Sequence, residues 1–291
     1  MADGETINWV AQYGSITFNQ YGKEFPTGGM NERGLVVELM WLDETKYPEA
    51  DKRPSISVLQ WIQYQLDNCA TIEDVIATDK KLRITATSAP LHYLIADANG
   101  NAAAIEFLDG KLRVHKGSDL PFPVLTNSTY EESKLTGTPK SSGNYESFQN
   151  NSIERFAKAC RMVEQFTENK INAPVVDYAF SILDNVSQGD HTKWSIVYDL
   201  KNKIIRFKTK SFITVKTISF SDFDFSCSMP SKAFDMNQAG KDDVSKSFRD
   251  FTPELNRSVL ERAIRESARE VPLGENTRET MLAYAEKPRC R

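Results

Sequence analysis

Apolar and polar positions along this chain alternate between two periods. Residues 14–20 and 34–42 are rich in Val, Ile, Thr, Phe and Leu and bounded by glycine, which predicts two strands. A polar, glycine-rich connection carrying Gly28, Gly29 and Gly34 joins them, with the glycines serving the turn and close backbone approach. The run Leu35-Val36-Val37-Glu38-Leu39-Met40 is nearly continuously apolar, as expected for a strand covered on both faces. After Pro54 the period lengthens: Ile56, Leu59, Ile62 and Leu66 fall three or four apart and predict a helix. Thr71 then reads as the N-cap of a second, short helix, with Asp74 in the capping-box position.

Period two returns in His92–Asp97 and Ala102–Phe107, which flank the turn signal Asn99-Gly100-Asn101, and again after Asp109-Gly110 in Lys111–His115. Pro123–Asn127 reads as a short strand ending in polar residues, and 133–148 as a loop. Helices are predicted at about 150–167 and 174–186, strands at 194–198, 204–208 and 212–220, and a last helix at about 253–268. This order predicts an α+β fold with helices over mostly antiparallel sheets, in one domain spanning 1–268 with a charged tail at 269–291.

Composition narrows the picture without pointing to chemistry. Hydrophobic residues make up 40% and charged residues 26%, an ordinary globular balance. A formal charge of −4 gives no electrostatic reason to expect nucleic-acid binding, and Lys201, Lys203, Arg206, Lys208 and Lys210 read as the solvated face of a hairpin. No apolar run approaches the ~20 residues of a membrane span, and no signal peptide is evident in the first residues. The four cysteines (Cys69, Cys160, Cys227, Cys290) lack zinc-type spacing and do not suggest a disulfide framework. Cys69 and Cys160 read as buried thiols in helices. His92, His115 and His191 are too dispersed for a metal site, and the first two read as structural residues of strands.

Four collinear segments carry a family resemblance. The first is the opening pair of strands with Gly28-Gly29-Met30-Asn31-Glu32-Arg33-Gly34-Leu35 between them. The others are Val124-Leu125-Thr126-Asn127, Ser152-Ile153-Glu154-Arg155-Phe156 and Trp194-Ser195-Ile196-Val197-Tyr198-Asp199. Together they resemble the choloylglycine hydrolase and penicillin V acylase family over about residues 9–260. The resemblance implies an N-terminal nucleophile hydrolase fold, here without its first strands, in which two antiparallel sheets stack between helical layers. It implies hydrolysis of linear amides by a terminal cysteine whose own α-amine is the base.

The resemblance also implies a catalytic asparagine at Asn127 and a catalytic arginine at Arg155, meeting in one cleft with Trp41 on its wall as a substrate-binding residue. Trp41 stands where bile-salt hydrolases carry an oxyanion-hole asparagine, which argues against a bile-salt hydrolase proper. No cysteine precedes the opening region, so the resemblance implies either a chain that starts too late or a relative that binds acyl amides without cutting them. No cofactor or metal is expected. The expected partner is a small acyl-amide substrate, with no nucleic acid or membrane, and a homo-oligomer and a bacterial source fit the resemblance. The compartment is left open between periplasm and cytoplasm.

Overall fold

The computed structural model describes residues 7–86, 88–136, 148–167, 173–267 and 274–288. Its main sheet is a six-stranded antiparallel meander with neighbours in chain order: β1 (Ser15–Asn19), β2 (Pro26–Asn31), β3 (Val36–Trp41), β4 (Leu91–Ala96), β5 (Ala102–Leu108) and β6 (Lys111–Lys116). The glycine-rich connection is thus itself a strand. Gly28 pairs with Glu38, and a Cβ on Gly28 would lie 2.2 Å from the Glu38 carboxylate; one on Gly29 would lie 2.7 Å from the Ile16 carbonyl oxygen. These glycines admit neighbouring strands rather than a turn. Gly34, with φ +80°, makes the turn.

Asn31 ties that turn to the first helix. Its side-chain oxygen accepts the N–H groups of Arg33 and Leu35, while its amide nitrogen donates to the carbonyls of Leu66 and Cys69 at 2.8 and 2.7 Å. The helix is α1 (Val58–Asn68), capped by Ser57 and burying Val58, Trp61, Ile62, Gln65 and Leu66 at helical spacing. The short α2 (Ile72–Ala77) follows, with its capping box of Thr71 and Asp74 complete. Both helices pack on one face of the sheet, against Val37, Tyr93, Ile95, Ala103, Ile105 and Phe107.

The opposite face is shared. Over β1–β3 lies a second sheet in the order β10-β9-β8-β7: β7 (Trp194–Asp199), β8 (Ile204–Thr209), β9 (Lys216–Ser219) and the short parallel β10 (Asp242–Asp243). Ile16, Phe18, Met30 and Val36 meet Ile205, Phe207, Ile218 and Phe220 in that layer. Over β4–β6 lie α3 (Tyr130–Thr136), α4 (Phe148–Thr167) and α5 (Val175–Asn185), with Phe156, Ala159 and Cys160 against Ala104.

A carboxylate enters the seam between the sheets. Glu38 of β3 receives the Tyr198 hydroxyl of β7 at 2.5 Å. Burial pushes its carboxyl up to about 7, against the opposing pull of that hydrogen bond.

The α+β reading holds, and three segments differ from expectation. Residues 123–127 form no strand, because their backbone groups are engaged by α4 and β4 instead of a sheet neighbour. The expected loop from 133 opens on the last turn of α3, while 137–147 lies outside the described residues. After α6 (Pro253–Ser267), the charged tail contains a further helix, α7 (Glu275–Ala285), which buries Leu282 and Ala285. Cys69 and Cys160 are buried free thiols, whereas Cys227 is disulfide-bonded, a feature its spacing did not suggest.

Candidate active site

The three residues singled out from sequence come together. Trp41 ends β3, Asn127 lies in the extended segment before α3, and Arg155 is in the second turn of α4. Asn127 Nδ2 donates to the Trp41 carbonyl at 2.9 Å, and Arg155 Nη2 donates to Asn127 Oδ1 at 2.8 Å across 28 residues of chain. Asn127 is thereby held at both ends of its amide. Its Nδ2 carries two hydrogens and the Trp41 carbonyl takes one.

Arg155 is buried, at 8% exposure. Its Nε donates to Asn151 Oδ1 at 3.1 Å. Among the described residues it makes no ion pair, and the amide oxygens of Asn127 and Asn151 accept from its guanidinium. Burial alone pulls its pKa down, yet a guanidinium stays charged. The result is a fixed cation beside a side-chain amide, an arrangement suited to orienting or stabilising negative charge in a ligand.

The Trp41 side chain does something different from what its indole donor suggested. Nε1 is spent on Asp43 Oδ1 at 2.6 Å, and the residue is 42% exposed. Its backbone carbonyl, rather than its indole N–H, is what bonds Asn127.

Ser152 is the residue that sequence reasoning passed over. Fully buried on α4, its hydroxyl accepts the Asn127 N–H at 2.8 Å and meets the hydroxyls of Thr126 and Ser128, each at 3.0 Å. Three positions separate Ser152 from Arg155, so one helical face presents both. The Ser-x-x-Arg spacing therefore grips the Asn127 backbone with one residue and its side chain with the other. A polar run on the other side completes the surroundings. His92 and Glu106, both 0% exposed, lie on β4 and β5, with His92 Nε2 2.6 Å from the Thr126 carbonyl oxygen.

A large cavity of about 2150 Å³ lies elsewhere. It runs along the free edge of β1 and is lined by Trp9, Phe18, Tyr21, Phe207, Phe234 and Arg262 among others, but not by Trp41, Asn127 or Arg155. Convergence of the three residues is thus present, and it lies outside that cavity. Among the described residues no group of His, Cys, Asp and Glu has a metal-site arrangement, and no helix is long and apolar enough to cross a membrane.

Comparison with known proteins places this geometry in context. Residues 5–174 match the linear amide C–N hydrolases of the choloylglycine hydrolase family. A penicillin V acylase of Pectobacterium atrosepticum is 30% identical over 219 residues, covering 62% of this chain and 56% of that protein. The chain thus spans about half the length of this curated relative. The structure of penicillin V acylase from Agrobacterium tumefaciens superposes with a TM-score of 0.71 at 29% identity, over 87% of this chain and 85% of that one. A variant of conjugated bile acid hydrolase from Clostridium perfringens gives 0.60 at 18% identity over 75% and 80%, a likeness of fold.

Proposed function

Because the chain belongs to the choloylglycine hydrolase family of linear amide C–N hydrolases, we propose that it acts on a small linear acyl amide in the manner of penicillin V acylase. Support comes from one convergence: Asn127, Arg155 and the Trp41 carbonyl, from three separate segments, joined by hydrogen bonds of 2.8 and 2.9 Å.

In the proposed reaction a terminal cysteine thiolate attacks the amide carbonyl carbon. Its α-amine, with an ordinary pKa near ~8, accepts the thiol proton and returns it to the leaving nitrogen as the C–N bond breaks. Water then cleaves the thioester, releasing the acid and restoring the thiol. Asn127 offers its remaining amide hydrogen to the oxyanion, a contribution whose loss costs a factor of about 10² to 10³ in rate. Arg155 holds Asn127 Oδ1 and keeps positive charge beside the site, and Trp41 forms its wall.

The nucleophile for this chemistry, a cysteine at a chain terminus, is not among the 291 residues. The internal thiols are poor substitutes: burial pushes Cys69 and Cys160 up to about 12. The second reading is a relative that binds acyl amides or a partner without cutting them.

The two are separated by determining the N-terminus of the protein isolated from its native cells, then assaying it beside the 291-residue chain for release of 6-aminopenicillanic acid from penicillin V. The expected result is binding without release for the 291-residue chain, and release only by a form bearing a terminal cysteine. In that form Asn127→Ala lowers the rate about 10²- to 10³-fold. Rapid release by the 291-residue chain would overturn the nucleophile assignment, and absence of binding by either form would overturn the acyl-amide reading.

A further inference from the structure

The peptide group joining Thr126 to Asn127 is gripped from both sides. Its N–H goes to Ser152 Oγ, and its carbonyl oxygen faces His92 Nε2 at 2.6 Å. A peptide unit is planar, so fixing both ends fixes the plane and the Asn127 Cα from which the side chain departs. The serine end follows from the α4 spacing. The histidine end depends on a proton count.

Pairing of Tyr93 with Ile105 across β4 and β5 sets His92 directly opposite Glu106. His92 Nδ1 lies 3.1 Å from Glu106 Oε1, which also accepts the Tyr130 N–H at 2.9 Å. The second oxygen, Oε2, lies 3.2 Å from Nε2 of His115, whose ring packs on Tyr130 at 4.8 Å and whose Nδ1 is 3.5 Å from Glu131. A carbonyl oxygen only accepts, so His92 Nε2 carries hydrogen. Burial would raise the Glu106 carboxyl, but hydrogen bonds from His115, His92 and the Tyr130 backbone outweigh it and hold the group at about 2. Glu106 is therefore held as a carboxylate beside His92, His115 and the Tyr130 backbone.

We infer that His92, oriented by Glu106, is a positioning residue that aims Asn127 into the candidate site by donating a hydrogen bond from Nε2 to the Thr126 carbonyl. The inference rests on Asn127 being the amide-side donor of the proposed function. It adds two residues on β4 and β5 that act through the backbone.

The test uses the whole chain, isotope-labelled, with the Asn127 side-chain amide assigned by comparison with Asn127→Asp. In the wild type, long-range 1H–15N spectra should show Nε2 of His92 protonated. That measurement needs no variant, and an unprotonated Nε2 would overturn the inference. His92→Phe and Glu106→Gln should shift or split the Asn127 amide signal and weaken penicillin V binding about tenfold. His92→Gln, which keeps a donor toward Thr126, should restore most of both.

An Asn127 signal unmoved in His92→Phe, with the protein folded, would also overturn the inference. The proposed function fails separately. If penicillin V does not bind the wild type while the Asn127 signal responds as described, the acyl-amide reading falls and the positioning role stands.

Discussion

Replacing Glu38 by Gln should stabilise this protein at neutral and alkaline pH and change little in acid. The carboxyl lies in the seam between the sheets, accepting from the Tyr198 hydroxyl, and burial raises its pKa from 4.5 to about 7. A folded pKa above the unfolded value means that the folded state binds the proton more tightly. The stabilisation is therefore complete below about pH 4.5 and is lost as pH rises through 7. A shift from 4.5 to about 7, at about 1.4 kcal/mol per unit, corresponds to roughly 3 kcal/mol between the two limits.

Gln cannot ionise, so the stability difference between Glu38→Gln and wild type should move in the variant's favour by up to that amount between pH 5 and 8.5. Urea denaturation of both proteins at half-unit pH steps, followed by tryptophan fluorescence, measures it. For a urea slope of about 3 kcal/mol per molar the midpoint separation should grow by about 1 M. Asp67 and Glu24 are also raised by burial and act in the same direction, but they cancel in the difference. Midpoints that stay a constant distance apart across the range would show that Glu38 is ionised in the folded protein, and the buried-acid reasoning would fall.

Two further outcomes follow from the same packing. Gly28→Ala should destabilise by about 1–3 kcal/mol, because its Cβ would meet the Glu38 carboxylate at 2.2 Å; Glu38→Ala should relieve most of that cost, which a double-mutant cycle of denaturation midpoints measures. Cys69 and Cys160, with thiols pushed up to about 12, should resist an aromatic disulfide reagent in the folded protein at pH 8 and react at once in urea, as peptide mapping of each site would show.

Much of the architecture is legible in local chemistry. The spacing of Ile62 and Leu66, the Thr71–Asp74 box and the Asn99-Gly100 turn each encode their element within a few residues, and the structure has all three. What escaped depends on partners distant in sequence. Gly28 and Gly29 are poor strand formers, and only the carboxylate of Glu38 and the carbonyl of Ile16 across the sheet explain them. Residues 123–127 look like a strand because they are extended, but their hydrogen bonds go to a helix serine and a histidine.

The site divides the same way. Asn127 and Arg155 stood out through a family likeness, not through any chemistry visible at those positions. Ser152 could have been found from its spacing to Arg155. His92 and Glu106 could not, since their meeting depends on the register of β4 against β5.

That register has a consequence for how this chain tolerates changes in length. Along β4, Tyr93 and Ile95 face the helices α1 and α2, whereas His92 faces Thr126. One residue inserted or deleted within Leu91–Ala96 would exchange the two faces, sending the imidazole toward the apolar layer and an apolar side chain toward the Asn127 peptide. The same event at the Asp97–Asn101 turn, where a Cβ added to Gly100 would meet open space, leaves both faces in place. Natural relatives and engineered versions should therefore vary in length at that turn and keep β4 uninterrupted.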